Sequence, residues 1–183
     1  LDLHEVSSAK EVAERLGAWA AANPDEPWIR ARRWNPSAFT GAPTRQALDA
    51  AVSDRPVLIM SEDERTWWVN TKALALAGVT KRTPAGHGGV IARNGRGEPT
   101  GILAGAATGL VAKVLPTPSA DTRARALRAA IDAANRHGIT SVQTAGDSAE
   151  DLTLYDAVRK AGDLTVRVYG ALAVSAARLS DAD

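Results

Sequence analysis

The sequence predicts an α/β protein, and three observations carry that reading. The run "RPVLIMS" (residues 55–61) is short and continuously apolar, the signature of a strand buried on both faces. From Ser119 onward the pattern alternates helix, strand, helix, strand across very short loops, which implies parallel strands covered by helices. Between them, the middle third carries proline, glycine and hairpin signals and reads as an irregular inserted stretch. The alternation alone is compatible with a (β/α) barrel or with a doubly wound sheet.

Each element has its own local reason. "LDLHEV" reads as the tail of a strand, so the chain opens in mid-pattern. "SSAKEVAERLGAWAAANP" is a helix: Ser8 and Glu11 have capping-box spacing, and Val12, Leu16, Trp19 and Ala20 share a face. Pro24 and Pro27 close it, and "WIRARRW" follows with strand-like alternation. Thr44 caps a short helix, "TRQALDAAV", ahead of the buried strand. "WVNTKALALAG" reads as a helix ending at Gly78. "GGVIARNGRGEPTGILAG" is a hairpin turning at Asn94-Gly95. "AATGLVAKVLP" is a modest helix stopped at Pro116. The clearest helix begins at the Ser119 cap, has Asp121 in its first turn and Arg136 and His137 in its last, and stops at Gly138. A strand, "ITSVQTAG", a helix, "SAEDLTLYDAVRKAG", and a last strand, "DLTVRVYGALAV", complete the order.

Composition narrows the function. The chain of 183 residues is 45% apolar and 23% charged, ordinary values for a soluble domain with a real core. With 22 basic against 21 acidic side chains, net charge is +1, which gives no electrostatic case for nucleic acid or an anionic membrane as partner. No run approaches the roughly 20 apolar residues of a membrane span, and no basic-then-apolar leader opens the chain, so the cytoplasm is the expected location. Cysteine is absent, which removes disulfides and thiolate metal sites.

Residue types alone assemble no complete catalytic group. His4, His87 and His137 are not spaced as a ligand pair. The "GHGG" and "GRGEPTG" stretches lack the spacing of phosphate-binding loops, and turn chemistry accounts for them. "RARRW" sets arginines near Trp28 and Trp34, yet a neutral chain favours a salt-bridged strand end over a nucleic-acid platform. The best polar constellation is Glu62, Asp63, Glu64 and Arg65, just past the buried strand, where α/β folds place ligands. A helix N-terminus decorated with acids explains the same residues, and both readings stand.

Taken in succession, four stretches resemble a known family. "PTRQALDAAVSDRPVLIMSEDERTWWVNTKALALAGV", "TPAGHGGVIARNGRGEPTGIL", "GITSVQTAG" and "LTVRVYGAL" carry the pieces R-P-V, W-V-N-x-x-A-L, G-x-P-T-G and G-I-T-S-V. In order and spacing they are similar to the metal-dependent amidohydrolases of the amidohydrolase 3, or YtcJ-like, group. N-substituted formamide deformylase is a relative, and some members carry the label exoenzyme regulatory protein. The resemblance implies a (β/α)8 barrel that uses one or two divalent, zinc-type metals to hydrolyse amide-type C–N bonds of a small molecule. It also implies that the metal ligands fall outside this chain, before Leu1 and after Val174. The expected architecture is then a single α/β fragment over residues 1–183, part of such a barrel. Residues from about 40 to 118 form the irregular, hairpin-containing insertion, and 119–175 form βα barrel units.

Two departures stand out. Where the family reads D-G-H, Asp63 matches, Glu64 replaces the glycine and Arg65 the histidine; Thr144 stands where many members have aspartate. Arginine stays protonated and so serves neither as neutral ligand nor as base, but it clamps carboxylates. The resemblance thus assigns no catalytic residue here and points to Asp63, Arg65, Trp67, Asn70 and Trp34 as a substrate-pocket rim. The isolated fragment is expected to be inactive and, having open sheet edges, to self-associate or pack as a smaller unit. A non-catalytic binding or regulatory module on the same fold is the alternative.

Overall fold

The computed structural model describes residues 1–40 and 42–172. The chain divides into two compact units, one spanning Leu1–Leu115 and the other running from Pro116.

In the first unit, α1 (Ala9–Ala22) is opened by the Ser8 side chain, which accepts from the Glu11 N–H. β1 (Ile29–Trp34), α2 (Arg45–Ala51, capped by Thr44) and β2 (Val57–Ser61) follow. β1 and β2 pair in parallel, Ile29 opposite Val57, with α2 as the crossover. Residues 1–3 extend this arrangement: Asp2 bridges Arg32 in parallel, and α1 is that crossover. The strand–helix alternation expected from Ser119 onward therefore already operates from the first residues.

Beyond β2 the pairing is antiparallel: tight turns join β2 to the next strand and close the later hairpin, while a longer stretch containing a helix lies between them. β3 (Thr66–Val69) folds back on β2, with Ile59 opposite Trp68. β4 (Gly89–Arg93) and β5 (Pro99–Gly105) form the expected hairpin, and the sheet order is β1-β2-β3-β5-β4. The described residues thus hold an open mixed sheet of five strands, not a closed barrel. Gly101, at φ 106°, lets β5 approach its neighbour: an added Cβ would lie 2.5 Å from the Val69 carbonyl oxygen.

One expectation is corrected here. "WVNTKALALAG" is not one helix: Trp67, Trp68 and Val69 belong to β3, and α3 (Thr71–Leu76) begins after Asn70. The aromatic and β-branched residues prefer the pleated surface, and their pairing with both β2 and β5 outweighs local helical spacing.

Two cores cover the two faces of this sheet. Leu3, Val12, Leu16, Leu48, Ile29, Val57, Ile59 and Trp68 form the first, under α1 and α2. Leu58, Val69, Leu74, Ile91, Leu103 and Val111 form the second, under α3 and α4 (Thr108–Ala112). β2 contributes to both, as its unbroken apolar run predicts.

The second unit contains α5 (Ala120–Arg136), β6 (Ser141–Gln143), α6 (Ala149–Lys160) and β7 (Arg167–Tyr169). β6 and β7 pair in parallel, Val142 opposite Val168, as short helix–strand loops require. Ser119 caps α5, and Ser148 with Asp151 makes a reciprocal capping box on α6. The core is small, built on Ile131, Val158 and Val166. The continuation of the last strand past Leu172 lies outside the described residues.

Candidate functional site

Parallel strands end on one side of their sheet, and α/β proteins bind ligands there because successive loops converge. Residues 1–3, β1 and β2 deliver three such loops, at 4–7, 35–38 and 62–65. Left-handed backbone occurs near each strand end, and in β1 it falls within the strand, where the pairing with β2 shifts register between Ala31 and Trp34. Glu5 (φ 71°), Arg33 (φ 65°) and Glu64 (φ 59°) are the non-glycine residues of left-handed backbone among those described, one per segment.

Two neighbouring cavities open at this end. One, of about 160 Å³, is lined by His4, Glu5, Ser7, Arg33, Asn35 and Glu62, among others. The second, of about 340 Å³, is lined by Asn35, Pro36, Ser37, Glu62 and Asp63. Asn35 and Glu62 border both. The Arg33 guanidinium donates to the Asp2 carboxylate at 3.1 Å, and Asn35 Oδ1 accepts the Ser37 N–H at 2.9 Å.

The predicted rim residues are placed as follows. Asp63 sits in the β2–β3 turn, where Oδ1 accepts the Ser61 hydroxyl at 2.6 Å and the Arg65 N–H at 3.0 Å. The Ser61 hydroxyl first, then the Arg65 backbone, hold its carboxyl below the usual aspartate range. Arg65 is exposed beside it. Trp67, half-buried on β3, packs against the second core.

Asn70 and Trp34 have different environments. Asn70 is fully buried, and four backbone groups saturate its amide. Oδ1 accepts from the N–H groups of Val57 (3.0 Å) and Ala73 (2.9 Å); Nδ2 donates to the carbonyls of Val52 (3.2 Å) and Arg55 (2.9 Å). No polar atom is left for a ligand. Trp34, 1% exposed, lies in the first core, its ring centroid 5.4 Å from Trp68 and 5.9 Å from Phe39. Of the five, Asp63 borders the larger cavity with Asn35 and Glu62, Arg65 and Trp67 line neither cavity, and Asn70 and Trp34 belong to the interior.

Sequence reading missed His4, Glu5, Arg33 and Asn35 as neighbours of Asp63. The signal was present: strand, helix, "WIRARRW", helix, "RPVLIMS" is itself a parallel pattern, which brings those strand ends together. Thr144 donates its hydroxyl to the Asp147 carboxylate, three residues on.

No group of three His, Asp or Glu side chains able to hold a metal converges among the described residues. His4, His87 and His137 are each exposed and lie on separate segments. Among the described residues no helix is long and apolar enough to cross a membrane.

Comparison with known proteins places these features in context. A model of the amidohydrolase family matches residues 1–182. YtcJ of Bacillus subtilis (strain 168), named as an amidohydrolase, is 33% identical over 168 residues, covering 91% of this chain and 30% of that protein. N-substituted formamide deformylase of Arthrobacter pascens is 30% identical over 108 residues, covering 58% and 20%. Among solved structures, an uncharacterized metal-dependent hydrolase of Pyrococcus horikoshii OT3 superposes with a TM-score of 0.66 at 21% identity. That match takes in 93% of this chain and 32% of the other, a likeness of fold. The chain spans 30% and 20% of the lengths of these two curated relatives.

Proposed function

The chain belongs to the amidohydrolase family, and from that premise we propose that it is a piece of a metal-dependent hydrolase acting on amide-type C–N bonds of a small molecule. The observation that carries the reading is the family match over residues 1–182 together with a polar site at the ends of parallel strands. Such hydrolases use a divalent cation to activate water. The residues of this chain do not fit that centre: their exposed histidines are scattered and no three donors converge among the described residues. The metal ligands are those that the family resemblance puts outside this chain.

The chain's own part is recognition. Arg65 carries a permanent charge at the mouth of β2 and β3, where two parallel N–H donors suit a substrate carboxylate. Asp63 shapes the turn that presents it, since its carboxylate is spent on the Ser61 hydroxyl and the Arg65 N–H. Trp67 supplies an apolar wall beside the same turn.

The test is turnover by the full-length protein containing this chain, loaded with zinc, against amides with and without a carboxylate. Hydrolysis is expected, with Arg65→Ala raising KM about tenfold for the carboxylate-bearing amides only, the effect of losing one charge-assisted contact. Arg65 in place of the family's histidine motivates the second reading, a non-catalytic module. Carboxylate binding without turnover of any amide decides for that module.

A further inference from the structure

β1 carries one residue too many for its partner. Ala31 faces Ile59 and Trp34 faces Ser61, so Arg32 and Arg33 stand opposite the single residue Met60. Such a bulge re-aims side chains. Trp34 takes the next core position after Ile29 and Ala31, and Arg33 is kept outside, on the wall of the cavity of about 160 Å³. Seating Trp34 explains the bulge but not the arginine. At φ 65° glycine is the unstrained choice, and the partly exposed ion pair from Arg33 to Asp2 is weak compensation for left-handed backbone.

That pair orients the guanidinium. Asp2 is itself fixed, its Oδ1 accepting the His4 N–H at 2.9 Å, and it holds Arg33 by Nη1 alone. Among the described residues the Nε and Nη2 donors of Arg33 have no acceptor. Glu62 lines the same cavity. It follows the last β1–β2 pair, where its N–H donates to the Trp34 carbonyl at 2.9 Å. Arg33 and Glu62 make no ion pair with each other, so one cavity presents an oriented cluster of donors and a separate charged acceptor. A substrate carboxylate would meet two acids there, Glu5 and Glu62. A neutral group with an oxygen and an N–H along one edge suits both sides. A primary carboxamide or a ureido end has that edge; a trans secondary amide, whose C=O and N–H are opposed, does not.

We propose that Arg33 and Glu62 are specificity-determining residues that together bind a primary carboxamide or ureido end of the substrate. Arg33 donates to the carbonyl oxygen, and Glu62 accepts the N–H on the same edge. The inference rests on the hydrolase reading above for its substrate, and it lies wholly within the first unit.

The experiment uses the full-length protein and two compounds with the same scissile amide. One ends in a primary carboxamide, the other in the methyl ketone of equal shape, which has no N–H. The wild type should show a KM about tenfold lower for the carboxamide. Glu62→Ala should raise that KM about tenfold and leave kcat and the ketone unchanged. Arg33→Gly, which the left-handed backbone accepts, should raise KM for both compounds, because both carry the carbonyl. Equal KM values in the wild type, a preference that survives Glu62→Ala, or unchanged values in Arg33→Gly overturn the proposal. Calorimetric titration of the same two compounds separates it from the hydrolase reading. Carboxamide-selective binding that Glu62→Ala abolishes, with no turnover, defeats only the hydrolase reading; turnover without the preference defeats only this inference.

Discussion

Replacing Asn70 by alanine should cost the first unit far more than an ordinary helix cap. Loss of the bond to the Ala73 N–H removes the cap of α3, about 1 kcal/mol. The Val57 N–H, in a fully buried residue, then has no acceptor, for about 1–3 kcal/mol more. The carbonyls of Val52 and Arg55 lose their donors at the same time, adding about 1 kcal/mol between them. The sum is about 3–5 kcal/mol, a large share of a domain's stability. Urea unfolding followed by tryptophan fluorescence measures it cleanly. All five tryptophans (Trp19, Trp28, Trp34, Trp67 and Trp68) fall within Leu1–Leu115, so the signal reports the first unit alone. At an m-value of about 1.5 kcal/mol per molar, the midpoint should drop by about 2–3 M. Asn70→Asp is the sharper probe. Aspartate caps exposed helices well, but here it would aim acceptors at two carbonyls and bury a charge, so it should also destabilise strongly at neutral pH. The reasoning is refuted if alanine costs only about 1 kcal/mol, the value of a surface cap, or if aspartate is neutral.

Two further outcomes follow from the same local chemistry. Glu64→Gly should stabilise the first unit by roughly 0.5–1 kcal/mol in the same urea assay, because relief of the φ 59° strain exceeds the entropy glycine adds to the unfolded chain; a loss of stability would show that the Glu64 side chain makes an unrecognised contact. In α6, the Ser148 hydroxyl and N–H, then Arg123, hold the Asp151 carboxyl below the ordinary aspartate value near 3.8. A depressed folded value means stability fully present above that pH and lost as pH falls through the lower folded value. Far-UV circular dichroism of Ser148→Ala should therefore show weaker α6 at neutral pH and a shallower acid transition, whereas an unchanged acid limb would count against the capping box as its source.

Much of the fold was legible because its signals are local. Ser8, Thr44, Ser119 and Ser148 each name a helix start through a hydroxyl that can reach an N–H three residues on, and each does so in the structure. Gly78 and Gly138, at φ 64° and 71°, end helices for the same local reason. The helix read over "WVNTKALALAG" failed at its first two residues because Trp68 and Val69 fit helix and strand alike, and the decision came from partners outside the stretch, Leu58 and Ile59 on one side and Ile102 on the other. The site was half legible. Asp63 and Arg65 follow a recognisable strand, but Asn70 and Trp34, equally plausible by motif, are structural.

The sequence by itself determined where elements start and stop, which strand is buried on both faces, and which family the chain resembles. All of these depend on residues within a few positions of one another or on their order. Only the tertiary structure decided that residues 1–3, β1 and β2 end together around Asn35 and Glu62, that the sheet turns antiparallel after Ser61, and that a carboxylate reaches Thr144 from Asp147. Those outcomes depend on pairing and burial between segments separated by up to dozens of residues, where no local pattern records which side of a strand its neighbour will take.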